Sequence, residues 1–509
     1  MTRHSKTSIS VFVVVLLLML LPLPAAAAGE IMNVSTGASY DSIQDAVDAA
    51  SSGDVIELAA GTYAQVDPII IEKALTLRSA SGATAVIAAS PTQMTAIAVM
   101  SPGVSLKGLT VTGAYGKSIG IGFDEPAFLM ETSTRTFSLL GCTLEGGGST
   151  DTAVELRGTV KNAEIVLDGN TIRNYEDFGL QSDSADEFID STVKVLNNDF
   201  ENAGDYGIDL DIPATGTDIF VIGNTVTAES VAIYLDDILG GSSLTIKNNN
   251  LSGKDEAIYF GDDIVDSTVL IEGNVIVSEE EGIYFSDDII EGTVTIRGNT
   301  ITCTEYEGIY FSYDVVDSDL IISENTIVCA EDSGIHFDEN VVGSIVTIDG
   351  NVITARDGVN FNEYLEESTL TMEGNTITIG YNGLYIYENV ISTVNLQHNL
   401  FTIKPAAYDG YGVCIDYQED SLFNFRSNVV TGARKALNLY DEGTDSEITI
   451  AGNLFRDNEV GILLEWEDEI ALAIAFNAFT GNDDDILFDG PSAPVALLNW
   501  WGAAAGPTG

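Results

Sequence analysis

Basic residues are scarce in this chain. Lys and Arg together number 20 against 78 Asp and Glu, and the formal net charge is −58. Nucleic acid and anionic membrane surfaces are polyanions that such a protein repels, so neither is expected as a partner. Histidine is scarcer still, with three in 509 residues, and a histidine-built zinc or copper site is not expected either. Four cysteines make no disulfide framework. Cys303 and Cys329 hold one position in neighbouring repeats, where other repeats place Ala228, Gly253, Ser278 and Ala355. Small core residues are therefore expected there rather than a disulfide, and Cys142 and Cys414 fall in other columns. Long apolar runs are absent except at the start. There, Arg3 and Lys6 precede the run Ile9 to Leu21, and Ala25-Ala26-Ala27-Ala28 follows it, the layout of a secretory signal. Residues 1–28 are read as that signal, leaving an exported mature chain without a transmembrane anchor.

What the chain has in abundance is repetition. Lines beginning Ala232, Ala257, Gly282, Gly308, Gly334, Gly358 and Gly383 start 25, 25, 26, 26, 24 and 25 residues apart. Each continues with an apolar residue and an aromatic or polar one, as in Gly282-Ile283-Tyr284-Phe285. Each also contains an apolar-x-x-Asn-x-apolar phrase, centred on Asn249, Asn274, Asn299, Asn325, Asn351 and Asn375. A fixed period of this size marks one structural unit stacked on copies of itself. Ile283-Tyr284-Phe285, Val294-Thr295-Ile296 and Asn299-Thr300-Ile301 alternate with the period of a strand. Three short strands in one repeat leave no room for a helix, so each repeat closes one coil. The expected fold is all-β, a single right-handed parallel β-helix. Starts traced outward from Pro68 to Asp485 give about 17 coils, a stack of roughly 80 Å at ~4.8 Å per coil.

Ahead of the coils, Ser42 caps a helical pattern formed by Ile43, Ala46, Val47 and Ala50. Residues 29–62 are read as an N-terminal cap of a short amphipathic helix and first strand, and 63–509 as the β-helix. The opening Ile43-x-x-Ala46-Val47-x-x-Ala50, Gly53-Asp54-x-Ile56-x-Leu58 and Gly61-Thr62-Tyr63 resembles the N-terminal cap of pectate-lyase-like β-helix proteins. The closing Asn499-Trp500-Trp501-Gly502 resembles a motif of NosD-like and archaeal surface β-helix proteins. This resemblance implies the fold. It leaves activity open, since lyases, hydrolases, adhesins and envelope proteins share it.

Three columns stand out for function. The asparagine column is read as an inward hydrogen-bonded ladder that sets coil register. Outward from the strand, Tyr234, Tyr259, Tyr284 and Tyr310 form an aromatic stripe that continues through His336 and Asn360 to Tyr385. Such a stripe suits contact with sugar rings or a second copy of the chain; it also suits a strand surface for its own sake. Two residues on come the acids Asp236, Asp237, Asp262, Asp263, Asp287, Asp288 and Asp314. All-oxygen clusters favour hard cations, calcium first, against the alternative of a solvated, salt-adapted turn.

Catalysis finds less support. The Asn-Thr-Asp, Gly-His-Gly and Arg-Ile-Lys parts of a polygalacturonase-like set are absent, and His336 is the one group in the tyrosine and acid columns able to bear a positive charge. Asp287, Asp288, Asp314 and His336 are the candidates if the chain is a polysaccharide lyase or glycoside hydrolase. A face repeated on every coil fits a linear polymer, a row of ions or another β-helix better than one reaction centre. The expected function is therefore a secreted, acidic cell-surface protein with a structural or adhesive role. Its expected partners are itself, laterally or end to end, or a polysaccharide.

Overall fold

A computed structural model describes residues 29–501, apart from 124–134, 148–149, 183–186, 212, 405–409, 442–445, 467–470 and 491–495. The signal segment, the side loop Asp124–Met130, most of the insertion from Pro405 and everything past Trp501 lie outside the described residues.

Each coil from Ala232 to the one opened by Gly334 has four strands rather than the three expected, and in the coils opened by Gly358 and Gly383 the two first-face strands fuse into one. In one four-stranded coil, Ile283–Phe285 and the two-residue Ile289–Ile290 form the first face, Thr293–Arg297 the second and Thr300–Cys303 the third. A two-residue strand is too short for alternation to show in sequence, which is why it escaped notice. Every one of these strands pairs in parallel with its counterpart on the next coil, one repeat away. The stack is a right-handed parallel β-helix of about 17 coils.

Alternation decides what lies inside. Ile283, Phe285, Val294, Ile296 and Ile301 are all buried. Phe260, Phe285, Phe311, Phe337 and Phe361 stack ring on ring through the interior at 4.4–4.8 Å. Where the third face turns into the first, the backbone runs so close to the core that a Cβ on Gly282 would lie 2.4 Å from Ile301 Cγ2. That crowding explains the Gly or Ala opening most repeats.

Two polar ladders hold the corners. Between the second and third faces, the backbone N–H and the Nδ2 of Asn299 both donate to Asn325 Oδ1, at 2.9 and 3.0 Å, while Nδ2 also donates to Ile271 O at 2.9 Å. The same pattern runs from Asn170 to Asn499. The preceding residue is often Gly at positive φ, as at Gly298 with φ 63°. Between the first and second faces runs a serine column absent from the sequence reading: Ser318 N–H donates to Ser344 Oγ and Ser344 N–H to Ser368 Oγ, each at 3.0 Å.

Cys303 and Cys329 correct the expectation of unbonded small core residues, since they form a disulfide with Cα atoms 4.8 Å apart. They are register partners pointing inward on adjacent coils, and parallel pairing brings any such pair within bonding reach. Cys142 and Cys414 are free and buried.

At the N-terminus the helix Ile43–Ala49 has Ser42 as its cap, whose side chain accepts from Asp45 N–H. Strand Ile31–Asn33 adds antiparallel to Ile56–Leu58 and pairs with Ala38–Tyr40. Helix and hairpin together cover the first coil's open edge, which would otherwise present unpaired backbone to another chain.

Candidate functional site: a tyrosine stripe between two acid rows

On the first face the outward residues of consecutive strands are register partners: Tyr234 with Tyr259, Tyr259 with Tyr284, Tyr284 with Tyr310 and Tyr310 with His336. The Tyr259, Tyr284 and Tyr310 rings stack nearly parallel, at 4.9 and 5.1 Å between centroids. Tyr234 meets Tyr259 edge-on at 5.1 Å. Upstream the run continues through Tyr206 and Phe178, which the sequence reading did not include. Tyr385 is in the same register, but Asn360 separates it from His336, and its hydroxyl donates to Asp416 Oδ2 at 2.7 Å. Each ring covers its neighbour, so the stripe is half-buried rather than the exposed surface that alternation alone suggests. Burial pushes the Tyr310 hydroxyl up to about 12, and Tyr234 and Tyr385 move the same way for the same reason.

Acid rows flank the rings on both sides. On the C-terminal side, Asp236, Asp237 and Asp262 bring a carboxylate oxygen each within 4.8 Å of one another, as do Asp262, Asp263 and Asp287. Burial, then Asp237, pushes Asp236 up to about 6. Asp288 and Asp314 serve the backbone instead. Asp288 N–H donates to Asp263 Oδ1 at 3.2 Å and Asp314 N–H to Asp288 Oδ1 at 3.0 Å, while Asn340 donates twice to Asp314 Oδ1. This is a third ladder, built of carboxylates.

On the N-terminal side lies a row the sequence reading missed: Glu256, Glu281 and Glu307. The signal was available, since each immediately precedes a repeat's opening Ala or Gly. Glu256, Glu280 and Glu281 form another cluster of the same tightness. Burial pushes both Glu256 and Glu281 up to about 7.

The row ends where the tyrosine column is first interrupted, at His336. Glu307 is buried and its Oε1 lies 2.8 Å from His336 Nδ1. Asn362 Nδ2 donates to Asp338 Oδ1 at 3.0 Å and contacts His336 Nε2 at 2.8 Å. In the neutral ring this arrangement suits the tautomer whose Nε2 accepts from Asn362 and whose Nδ1–H donates to Glu307. The Tyr310 hydroxyl donates to Asp338 Oδ2 at 3.2 Å. His336 is thus gathered with Glu307, Asp338, Asn362 and Tyr310. Its hydrogen-bond partners do not include Asp287, Asp288 or Asp314, the acids grouped with it in the sequence.

Residues 136–295, 217–360 and 346–503 match the family model described as periplasmic copper-binding protein (NosD), and together they cover more than half of the chain. The chain belongs to the NosD family. No curated protein matches it. Among solved structures it is similar to PfbA, a surface adhesin of Streptococcus pneumoniae, with 11% identity over 70% of this chain and 87% of that one and a TM-score of 0.34. A PL6 family alginate lyase, AlyGC, is 10% identical over 90% of this chain and 97% of that one, with a TM-score of 0.24. The periplasmic alginate epimerase AlgG is 11% identical over 93% and 100%, also at 0.24.

The copper in the family's description calls for imidazole, thiolate or thioether donors. Among the described residues, the clusters able to hold an ion are built from carboxylates alone. Both ring nitrogens of His336 are engaged, and Cys303 and Cys329 are bonded to each other. These residues do not fit copper.

Proposed function

We propose that this NosD-family β-helix is exported and works by contact, binding a linear glycan along the stripe Tyr234, Tyr259, Tyr284 and Tyr310. The observation that carries the reading is the in-register stack of rings at about one coil's spacing, with a carboxylate row on either side and no Lys or Arg in the stripe. Sugar rings pack on aromatic faces, and a repeated surface suits a repeated ligand. Calcium or a similar hard cation bridges the clusters of Asp236, Asp237, Asp262, Asp263 and Asp287, lowering the repulsion between stacked carboxylates. With calcium bound, the face accepts neutral or acidic polymers. No helix among the described residues is long and apolar enough to cross a membrane.

The test is binding of the purified protein to immobilised polysaccharides with calcium present. The Tyr259→Ala and Tyr284→Ala double variant is expected to lose tenfold or more in affinity, at about 1 kcal/mol per aromatic contact, with its fold intact. An unchanged affinity removes the stripe from the binding site. One observation favours a second reading: the non-repeating knot of His336, Glu307, Asp338 and Asn362 has the uniqueness a polysaccharide lyase or hydrolase needs. Release of unsaturated or reducing ends that disappears in His336→Ala would replace the contact reading with that one.

A further inference from the structure

The third face has a property that neither of the others shares. From strand Thr225–Thr227 to strand Val429–Thr431, nine consecutive coils present two outward positions each, and none of these is charged. Charged residues make up 19% of the chain, and outward positions ordinarily hold most of them. The strip is instead Thr and Val for the most part, as in Val275 and Val277, Thr300 and Thr302, and Thr326 and Val328. Val275, Val277 and Val328 are exposed. Both of their ranks run in strict register from coil to coil. The second face, by contrast, carries Lys247, Glu272, Arg297, Asp319 and Asp349 on its outward side, and the first carries the acid rows.

We infer that this neutral strip is where two copies of the chain pair face to face. The inference rests on the reading of the protein as one that works by contact, and it assigns self-association to the face without the tyrosines. Charge selects the occupant. At −58, a second copy is repelled by every surface rich in acid, and an uncharged strip is where like-charged molecules approach with least electrostatic work. Shape agrees. Flat ranks of β-branched side chains, repeating at one coil's height along the stack and every second residue along the strand, interdigitate with an identical set turned about a two-fold axis. The strip is roughly 40 Å long and 10 Å wide, so a pair buries about 800 Å² in total, below the ~1,000 Å² of a stable specific interface. The pairing is therefore weak and concentration-dependent, as lateral contacts in a surface layer are.

Sedimentation velocity on the purified protein, across concentration and ionic strength, tests this. A monomer–dimer equilibrium is expected that strengthens with salt, because salt screens like-charge repulsion. Val277→Lys with Val328→Lys should weaken it tenfold or more. Thr302→Lys, at a position that leaves every apolar side chain in place, should act in the same direction should the valine pair disturb folding. Tyr259→Ala with Tyr284→Ala should leave pairing intact while weakening glycan binding tenfold or more. Loss of glycan binding in every assay with pairing retained defeats the functional reading but not this one. A monomer at about 100 μM in high salt, pairing indifferent to the lysines, or pairing lost with the tyrosines overturns it. So does a wild-type monomer that adsorbs to an insoluble polymer through the same strip.

Discussion

Asn325 Oδ1 accepts two hydrogen bonds from Asn299, and its Nδ2 donates to the carbonyl of Ile296 at 2.8 Å, all in the buried corner of the coil. Truncation to alanine removes these bonds where water cannot replace them, at about 1–3 kcal/mol per unsatisfied group. Asn299→Ala with Asn325→Ala should therefore lower the melting temperature clearly, and unchanged melting of the pair would refute the ladder's stabilising role. The Cys303–Cys329 bond adds a covalent tie at the other end of the third-face strands. Closing a loop of this size restricts the unfolded chain by about 3 kcal/mol in the entropy model. A reductant should destabilise the wild-type protein and leave Cys303→Ala with Cys329→Ala unmoved. Equal response of both would mean that the bond contributes nothing.

At the scale of the element, the first-face strands set carboxylates in rows closer than charges tolerate in isolation. Burial pushes Asp236 up to about 6, Glu256 and Glu281 up to about 7, and Asp209, buried beside Tyr234 in register, up to about 8. A carboxyl whose value is raised on folding binds its proton more tightly in the folded state than in the unfolded. Its contribution is fully present below the ordinary carboxylate range and is lost as pH rises through the raised value. Without divalent cations, the melting temperature should therefore fall as pH rises from about 5 to about 8. Millimolar calcium should flatten that slope more than sodium at equal ionic strength, and a chelator should restore it. A rising trend, or a calcium effect matched by sodium, would count against cation sites in these rows.

For the whole molecule, each coil touches chiefly its two neighbours, so stability is close to a sum over coils and the interfaces between them. Excising Ile258–Gly282, one full coil, joins Ala257 to Ile283 and restores every column in register. The shortened protein is expected to keep its β-sheet circular dichroism, melt a little lower and bind glycan less tightly, having lost Tyr259 from the stripe. Failure to fold would mean that the coils are not interchangeable and that the period describes the sequence better than the energetics.

Period and alternation are local properties, which is why the β-helix, its coil number and the membership of the asparagine and tyrosine columns were legible before any coordinates. Asn299, Tyr284 and Phe285 reveal their sides of the strand by their position within one repeat. Contacts across a corner are not local. The serine column and the two-residue strand Ile289–Ile290 depend on where the chain bends between strands, and the bend leaves little trace in hydrophobic pattern. His336 shows the difference most clearly. Its break in the tyrosine column is plain in the sequence, yet its partners Glu307 and Asn362 sit on the coils before and after it. Cys303 and Cys329 share a sequence column with alanine, glycine and serine, and only register made them a bond. The sequence by itself determined what repeats, because one strand's alternation suffices for that; the tertiary structure alone decided which columns meet, because that depends on the cross-section of the coil.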